Sequence, residues 1–162
     1  MKKTVLAISR ILSYIAQLVL LITMFLITFD VFGRYFFNKP IKGTFELTEL
    51  GLALMVFFGL AITHWHKEHV EIDFLIEKLS KKTKRIIDAI INAIISISVF
   101  IVSWKMIEYA HRVQISNTVT GDLKLPVHLF IIIGAVGMFV FGLVALARMI
   151  DLIKKGATGH DS

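Results

Sequence analysis

The sequence lacks cysteine altogether and carries little charge for its length. Without cysteine it can form neither a disulfide framework nor a thiolate metal site. It also lacks a Gly-rich phosphate-binding loop followed by Lys and Ser or Thr, so we do not expect this chain to hydrolyse ATP. Of its 162 residues 56% are hydrophobic and 19% charged, a balance too apolar for a soluble core covered by polar surface. A lipid bilayer is therefore the expected solvent.

Four stretches approach the roughly 20 apolar residues that a helix needs to cross a bilayer. They cover about residues 11–33, 47–65, 86–104 with an outward extension, and 125–147. The basic segment before the first stretch resembles the start of a secretory signal, but the apolar run is too long, so we expect a retained helix. The predicted fold class is an all-α integral membrane protein, with residues 1–162 forming a single four-helix membrane domain.

The distribution of Lys and Arg predicts the orientation. Twelve of the 18 basic residues lie before the first span, between the second and third, or after the fourth, and six lie in the other two connections. The positive-inside rule then places both termini and the middle loop in the cytoplasm. Aromatic residues at the predicted span ends, including Tyr35, Trp65, Trp104 and Tyr109, are typical of interfacial belts.

The middle loop has its own periodicity. Apolar residues recur at helical spacing at Ile72, Leu75, Ile76, Leu79 and Ile86, with basic residues on the other faces. This pattern predicts an amphipathic cytoplasmic helix between the second and third spans. It could anchor the chain to lipid or bind a partner, and the sequence leaves both open.

Polar side chains recur on one face of two spans. In the third span Asn92, Ser96 and Ser103 follow Asp88 at helical spacing. The first span carries a comparable stripe, which comprises Ser9, Ser13, Gln17 and Thr28. Because polar groups are costly in hydrocarbon, these faces predict protein neighbours.

Small residues on the fourth span complete the candidate interface. Gly134 and Gly142 lie on one side with Ala135 and Ala145, where another backbone could approach closely. Packing within the chain would explain the polar and small faces, and so would a subunit interface. We expect both.

Histidines suggest a metal or haem site only at first sight. His64, His66 and His69 lie around the end of a span, and no second pair of possible metal ligands follows them at an ordered spacing. They are therefore expected to be solvated residues beside the membrane. Membrane haem needs opposed histidines at equal depth, whereas His64 and His128 fall at opposite ends of their spans. No cofactor, metal or catalytic residue is predicted in this chain.

Carboxylates are confined to the ends of the spans. Proton-coupled exporters keep a carboxylate deep in the membrane, but Asp30, Glu46, Glu49 and Asp88 are all terminal. A substrate pathway through this chain alone is therefore not expected. Asp30 and Arg34 are four residues apart and are predicted to form a salt bridge.

Charged residues of the two predicted outer loops could fix the helix ends or dock an extracytoplasmic protein, and the sequence leaves both open. The candidate docking residues are Arg34, Lys39, Lys42, Glu46, Arg112 and Lys124.

Three motifs in register resemble one family. Residues 33–40 read Gly-Arg-Tyr-Phe-Phe-Asn-Lys-Pro, Glu46 is followed by Leu, and residues 68–73 read Glu-His-Val-Glu-Ile-Asp. Together they resemble the small membrane subunit of tripartite ATP-independent periplasmic (TRAP) transporters, whose motif positions here are Arg34, Glu46, His69 and Asp73. Gly43 and Phe45 depart from the family pattern, which has a Trp and an acidic residue there.

The resemblance implies a complex in the bacterial inner membrane. Its parts would be a periplasmic substrate-binding protein, a large multi-span subunit holding the substrate and sodium sites, and this chain as a non-catalytic scaffold that helps dock the binding protein. An organic acid, such as a sialic acid or a C4-dicarboxylate, would move inward with sodium. The alternatives are a self-sufficient homo-oligomeric transporter and a membrane redox or assembly protein.

Overall fold

A computed structural model describes residues 2–65 and 81–157. These residues form four α-helices, which we label α1 (Lys2–Phe37), α2 (Thr44–Trp65), α3 (Lys81–Ile115) and α4 (Val127–Ala157). Each is long and apolar enough to cross a membrane. The predicted class of an all-α membrane protein with four spanning helices is confirmed. The predicted amphipathic helix lies almost wholly outside the described residues, as do His66, His69 and Asp73.

Turns that contain left-handed residues follow α1 and α3, each of which continues beyond its predicted apolar stretch. After α1 the chain reverses through Asn38, whose φ is 52°, and Gly43, whose φ is 79°. After α3 it passes through Asn117 at φ 49°, with the amide of Thr118 bonded to the carbonyl of Val113 and that of Asn117 to Gln114. This is a Schellman motif, in which asparagine supplies the left-handed residue that caps the helix.

The helix α4 is the centre of the packing. It contacts α1, α2 and α3, and α1 also packs along α2, whereas α3 packs chiefly against α4. The buried apolar core lies between α2, α3 and α4, and its members are Ala61, Val99, Met138, Val140, Phe141 and Val144. The wide outer faces of α1 and α3 are left exposed.

Glycines let the neighbouring helices approach α4. A Cβ on Gly137 would lie 2.9 Å from the Phe58 ring and 3.0 Å from the Phe57 carbonyl oxygen, so the backbones of α2 and α4 meet there. A Cβ on Gly134 would lie 2.8 Å from the Phe57 ring, and one on Gly142 would lie 2.9 Å from the Phe100 ring. The small face of α4 is therefore filled by side chains of this same chain.

Candidate functional site

Asp30 organises the turn between α1 and α2. Its carboxylate lies 2.7 Å from an Arg34 guanidinium nitrogen, which confirms the salt bridge expected from their spacing. Its other oxygen accepts a 2.7 Å hydrogen bond from the backbone amide of Ile41. The Asp30 side chain is 6% exposed and that of Arg34 is 59% exposed. The carboxylate thus closes the turn from inside, while the cation covers it from outside.

Glu46 joins this turn to the other long connection. One carboxylate oxygen accepts a hydrogen bond of 2.5 Å from the amide of Asp122, and the other accepts one of 3.0 Å from the amide of Leu123. These bonds hold the start of α2 against amides that lie 76 and 77 positions later in the sequence. Both connections lie at one end of the helices, since Glu46 in the first turn of α2 bonds the second connection and Gly43 of the first lies against the Leu123 side chain. The start of α1 and the end of α4 lie at the opposite end.

This end, which we call the loop end, carries the candidate docking residues. Lys39, Lys42 and Lys124 are exposed there, and Lys124 has a φ of 56°. Arg112 extends from the last turn of α3 and pairs with Glu108 at 2.9 Å. The structure brings these basic groups to one end together with Arg34. Glu46 differs from them, because both of its carboxylate oxygens bond backbone amides.

Two serines on α3 bond the backbone of α4. The Ser96 hydroxyl donates to the carbonyl of Gly142 at 3.1 Å, and the Ser103 hydroxyl donates to that of Ala135 at 2.9 Å. Donors seven residues apart thus meet acceptors seven residues apart on the antiparallel helix. Both serines are buried. Each hydroxyl is satisfied where lipid could offer no partner, and the small acceptor residues permit the close approach.

His64 is buried, and the expectation that it is solvated is wrong. Its ring nitrogen Nε2 lies 2.8 Å from Oδ1 of Asn92, and its imidazole packs edge-on against Phe141 with centroids 5.3 Å apart. Asn92 donates its amide to the carbonyl of Asp88 at 2.7 Å, which leaves Oδ1 as an acceptor, so Nε2 of His64 carries a proton. Arg148 donates to the backbone carbonyl of His64. These contacts join α2, α3 and α4 at the end opposite the loop end.

The interface candidates Asn92, Ser96, Ser103, Gly134 and Gly142 therefore all contact other helices of this chain. This is the packing alternative that the sequence left open beside a subunit interface.

Among the described residues no group of three or more His, Cys, Asp or Glu side chains could hold a metal ion. A cavity of about 180 Å³ lies between α1, α2 and Phe130 of α4, and apolar side chains form most of its wall. The apolar wall of this cavity offers few hydrogen-bonding groups to a small charged molecule.

Comparison with known proteins agrees with this architecture. The model of the family described as "Tripartite ATP-independent periplasmic transporters, DctQ component" matches residues 23–155. The chain belongs to the DctQ family of TRAP transporter components. A Haemophilus influenzae protein named "Putative TRAP transporter small permease protein" is 24% identical over 131 residues, which are 80% of this chain and 79% of that protein. No solved structure was found to match.

The geometry gives a physical reason for the motif that this DctQ chain carries at residues 33–40. A Cβ on Gly33 would lie 2.9 Å from the carbonyl oxygen of Lys39, so the turn needs glycine there. Asn38 supplies a left-handed residue, and Arg34 covers the Asp30 carboxylate that bonds the turn. Arg34 and Glu46, the two family-motif residues within the described part, thus both act on the loop end.

Sequence reasoning missed two features of this DctQ chain. Gly137, where the backbones of α2 and α4 meet, lies among other small residues and has no local signal that distinguishes it. The burial of His64 depends on Asn92, 28 residues away, and could have been suspected from the polar position on α3 that needed a partner.

Proposed function

We propose that this chain is the small, non-catalytic membrane subunit of a sodium-driven uptake system for organic acids. Its part is to scaffold the large transport subunit rather than to bind substrate. The observation that carries the proposal is the absence of any Asp, Glu, Lys, Arg or His from the central part of all four helices. The residues concerned are 11–29, 50–63, 89–104 and 129–147.

An anion crossing the hydrocarbon layer needs charged or polar side chains along its path, because an unsatisfied charge there is costly. Three buried polar side chains of α3, those of Asn92, Ser96 and Ser103, are engaged in hydrogen bonds to other helices of this chain. Substrate and sodium sites are therefore assigned to the large multi-span subunit. The substrate class, a sialic acid or a C4-dicarboxylate, rests on likeness to the family alone.

The loop end is proposed as part of the docking surface for the periplasmic substrate-binding protein. Three exposed lysines, Lys39, Lys42 and Lys124, would attract an acidic patch on that protein and speed its association. Charge reversal of the three should lower uptake at limiting binding protein, with the loss shrinking as salt is raised. The matched control changes each lysine to arginine and should retain uptake. Equal uptake by both triple variants would contradict docking at this surface.

Both termini are proposed to be cytoplasmic, which puts the loop end in the periplasm. The absence of cysteine allows a direct test, because a single cysteine placed at Lys39 or at Ser162 is the only thiol in the chain. A membrane-impermeant thiol reagent applied to intact spheroplasts should label the cysteine at 39 and leave the one at 162 unlabelled. The reverse pattern would invert the topology.

The decisive experiment purifies the tagged chain from its native membrane in mild detergent and identifies what accompanies it by mass spectrometry. Recovery of a large multi-span protein in equal amount, with loss of sodium-dependent organic acid uptake when this chain is deleted, would support the proposal. Recovery of this chain alone, together with uptake by liposomes containing nothing else, would favour the self-sufficient transporter. A haem absorbance in the purified chain would favour the redox alternative.

A further inference from the structure

A row of exposed residues runs along α1 on the side away from α2 and α4. Successive members are three or four residues apart, the spacing by which one helix meets another along a narrow seam. We call this row the seam, and its members are Arg10, Tyr14, Gln17, Leu21, Met24 and Thr28. None of the six side chains is buried by the chain itself, although Ser9, Ala16, Thr23 and Asp30 on the opposite side of α1 are.

Gln17 is the member that lipid cannot accommodate well. It lies seven residues after Arg10 and 13 before Asp30, which corresponds to about 10 Å and about 20 Å along the helix axis. Its carboxamide has two N–H donors and an oxygen acceptor. In the described part of the chain its one hydrogen bond is a long 3.4 Å contact to the hydroxyl of Ser13. The oxygen and the second N–H therefore face a layer without hydrogen-bonding groups.

Other exposed polar groups of the spanning helices do not raise the same problem. The Thr28 hydroxyl donates to the carbonyl of Met24 at 2.8 Å, within its own helix. Ser98 on α3 is exposed, but a serine hydroxyl can rotate onto a carbonyl of its own helix in the same way. A glutamine carboxamide needs a partner from outside, because its donors and acceptor cannot all reach their own backbone.

The same helix provides a contrasting face. About a quarter turn from the seam lies a second exposed row with no polar member, which we call the apolar row. It comprises Ile11, Leu18, Ile22, Phe25, Phe29 and Phe32. Lipid tails satisfy such a surface completely. The two rows have similar exposure, since Leu21 and Met24 are 48% and 53% exposed and Leu18 and Phe25 are 56% and 49% exposed. The rows differ in that the seam contains polar side chains and the apolar row contains none.

We infer that the seam of α1 packs against a transmembrane helix of the large subunit, and that this helix offers Gln17 a hydrogen-bonding group. The inference rests on the proposed function and adds to it the face by which this chain meets its partner. The apolar row remains against lipid. Arg10 marks the membrane edge of the contact on the side where α1 begins.

Site-specific photocrosslinking in the native membrane tests this assignment. A benzoylphenylalanine is placed at Leu21 or Met24 in the seam, and at Leu18 or Phe25 in the apolar row as matched controls. We expect irradiation to join the large subunit to this chain from positions 21 and 24 and to give no such product from 18 and 25. The complex is purified in parallel without irradiation, so that assembly is scored separately from contact.

Each other outcome has a defined meaning. Products with the large subunit from 18 and 25 alone would overturn the seam while leaving the proposed function intact. Products joining two copies of this chain from 21 and 24 would overturn it in favour of a homodimer. Absence of products from all four positions, with the complex still recovered, would mean that lipid covers the seam. Failure to recover any complex would count against the proposed function itself.

Substitution of Gln17 gives a second, independent readout. Gln17→Leu should leave this chain folded, because the side chain is exposed, and should weaken association with the large subunit between about 3-fold and about 20-fold, the range of single interhelical hydrogen bonds in membranes. Leu18→Gln, which moves the carboxamide onto the apolar row, should not restore it in the double variant. Unchanged association of Gln17→Leu would remove the reason for assigning the seam to a protein partner.

Discussion

The hydrogen bond between His64 and Asn92 should be measurable as a coupling free energy between α2 and α3. These helices otherwise pack on α4 more than on each other, so this 2.8 Å contact is a direct polar link between them. The perturbation is a double-mutant cycle of His64→Leu, Asn92→Leu and the pair together. Leucine is chosen because it branches at Cγ as asparagine does, with the same number of side-chain heavy atoms, and carries no polar group.

Burial and geometry determine the expected magnitude. The two side chains are 4% and 5% exposed, so water cannot replace a lost partner. Asn92→Leu alone leaves the Nε2 proton of His64 without its acceptor and should cost about 1–3 kcal/mol. Replacing both residues removes the donor and the acceptor together and should cost less than the sum of the two single-variant costs.

In membranes, double-mutant cycles of this kind give coupling free energies of about 0.6 kcal/mol on average and about 1.7 kcal/mol at most. We expect the upper part of that range, because the 2.8 Å bond is further fixed by the bond from Asn92 to Asp88.

The assay is unfolding of the purified chain in mild detergent micelles titrated with sodium dodecyl sulfate, followed by circular dichroism. A cycle between Asn92→Leu and Ser103→Ala is the control, since these residues lie more than three turns apart on α3 and should act additively. Additivity of the His64 and Asn92 variants within about 0.3 kcal/mol would refute the bond as a stabilising contact. The single-variant costs would then have to come from packing alone.

Three further predictions concern the helix contacts and the loop end. Ser103→Ala should lower the free energy of unfolding by about 0.6 kcal/mol in the same titration, and no change would mean that its bond to α4 contributes nothing. Gly137→Ala should destabilise the chain by about 1–3 kcal/mol, because its Cβ would meet the backbone of α2, whereas Gly59→Ala, with open space around it, should be harmless. Glu46→Gln should speed hydrogen exchange at the amides of residues 122 and 123, because the carboxamide nitrogen of glutamine cannot accept one of the two hydrogen bonds. Glu49→Gln is the control, and equal exchange rates in the two variants would contradict the role of Glu46 in holding residues 122 and 123.

The structure changes how variants at the polar face of α3 should be interpreted. A bulky apolar residue at Asn92 or Ser96 would break contacts within this chain, so a lost complex would report misfolding rather than a lost partner contact. Variants on the exposed seam of α1 avoid this ambiguity. Gln17 belonged to a stripe that the sequence already singled out, but only exposure separated it from Ser9, which is buried and bonds the carbonyl of Leu6.

Local signals sufficed for several features. The four spans follow from apolar length alone, and the Asp30–Arg34 pair follows from i, i+4 spacing on one helix. The prediction that the polar face of α3 meets protein was possible because an unsatisfied hydroxyl is costly in hydrocarbon. Which protein it meets was not predictable, because packing within the chain and packing against a partner satisfy the same rule.

The sequence by itself determined that the protein lies in a bilayer, that four helices can span it and which helix faces need hydrogen bonds, because hydropathy and helical period are properties of neighbouring residues. The tertiary structure decided which groups meet. It buried His64 against Asn92, used Glu46 to hold a loop 76 positions away, and left Gln17 facing outward. These pairings depend on how helices far apart in the chain are arranged around α4, and no local pattern encodes that arrangement.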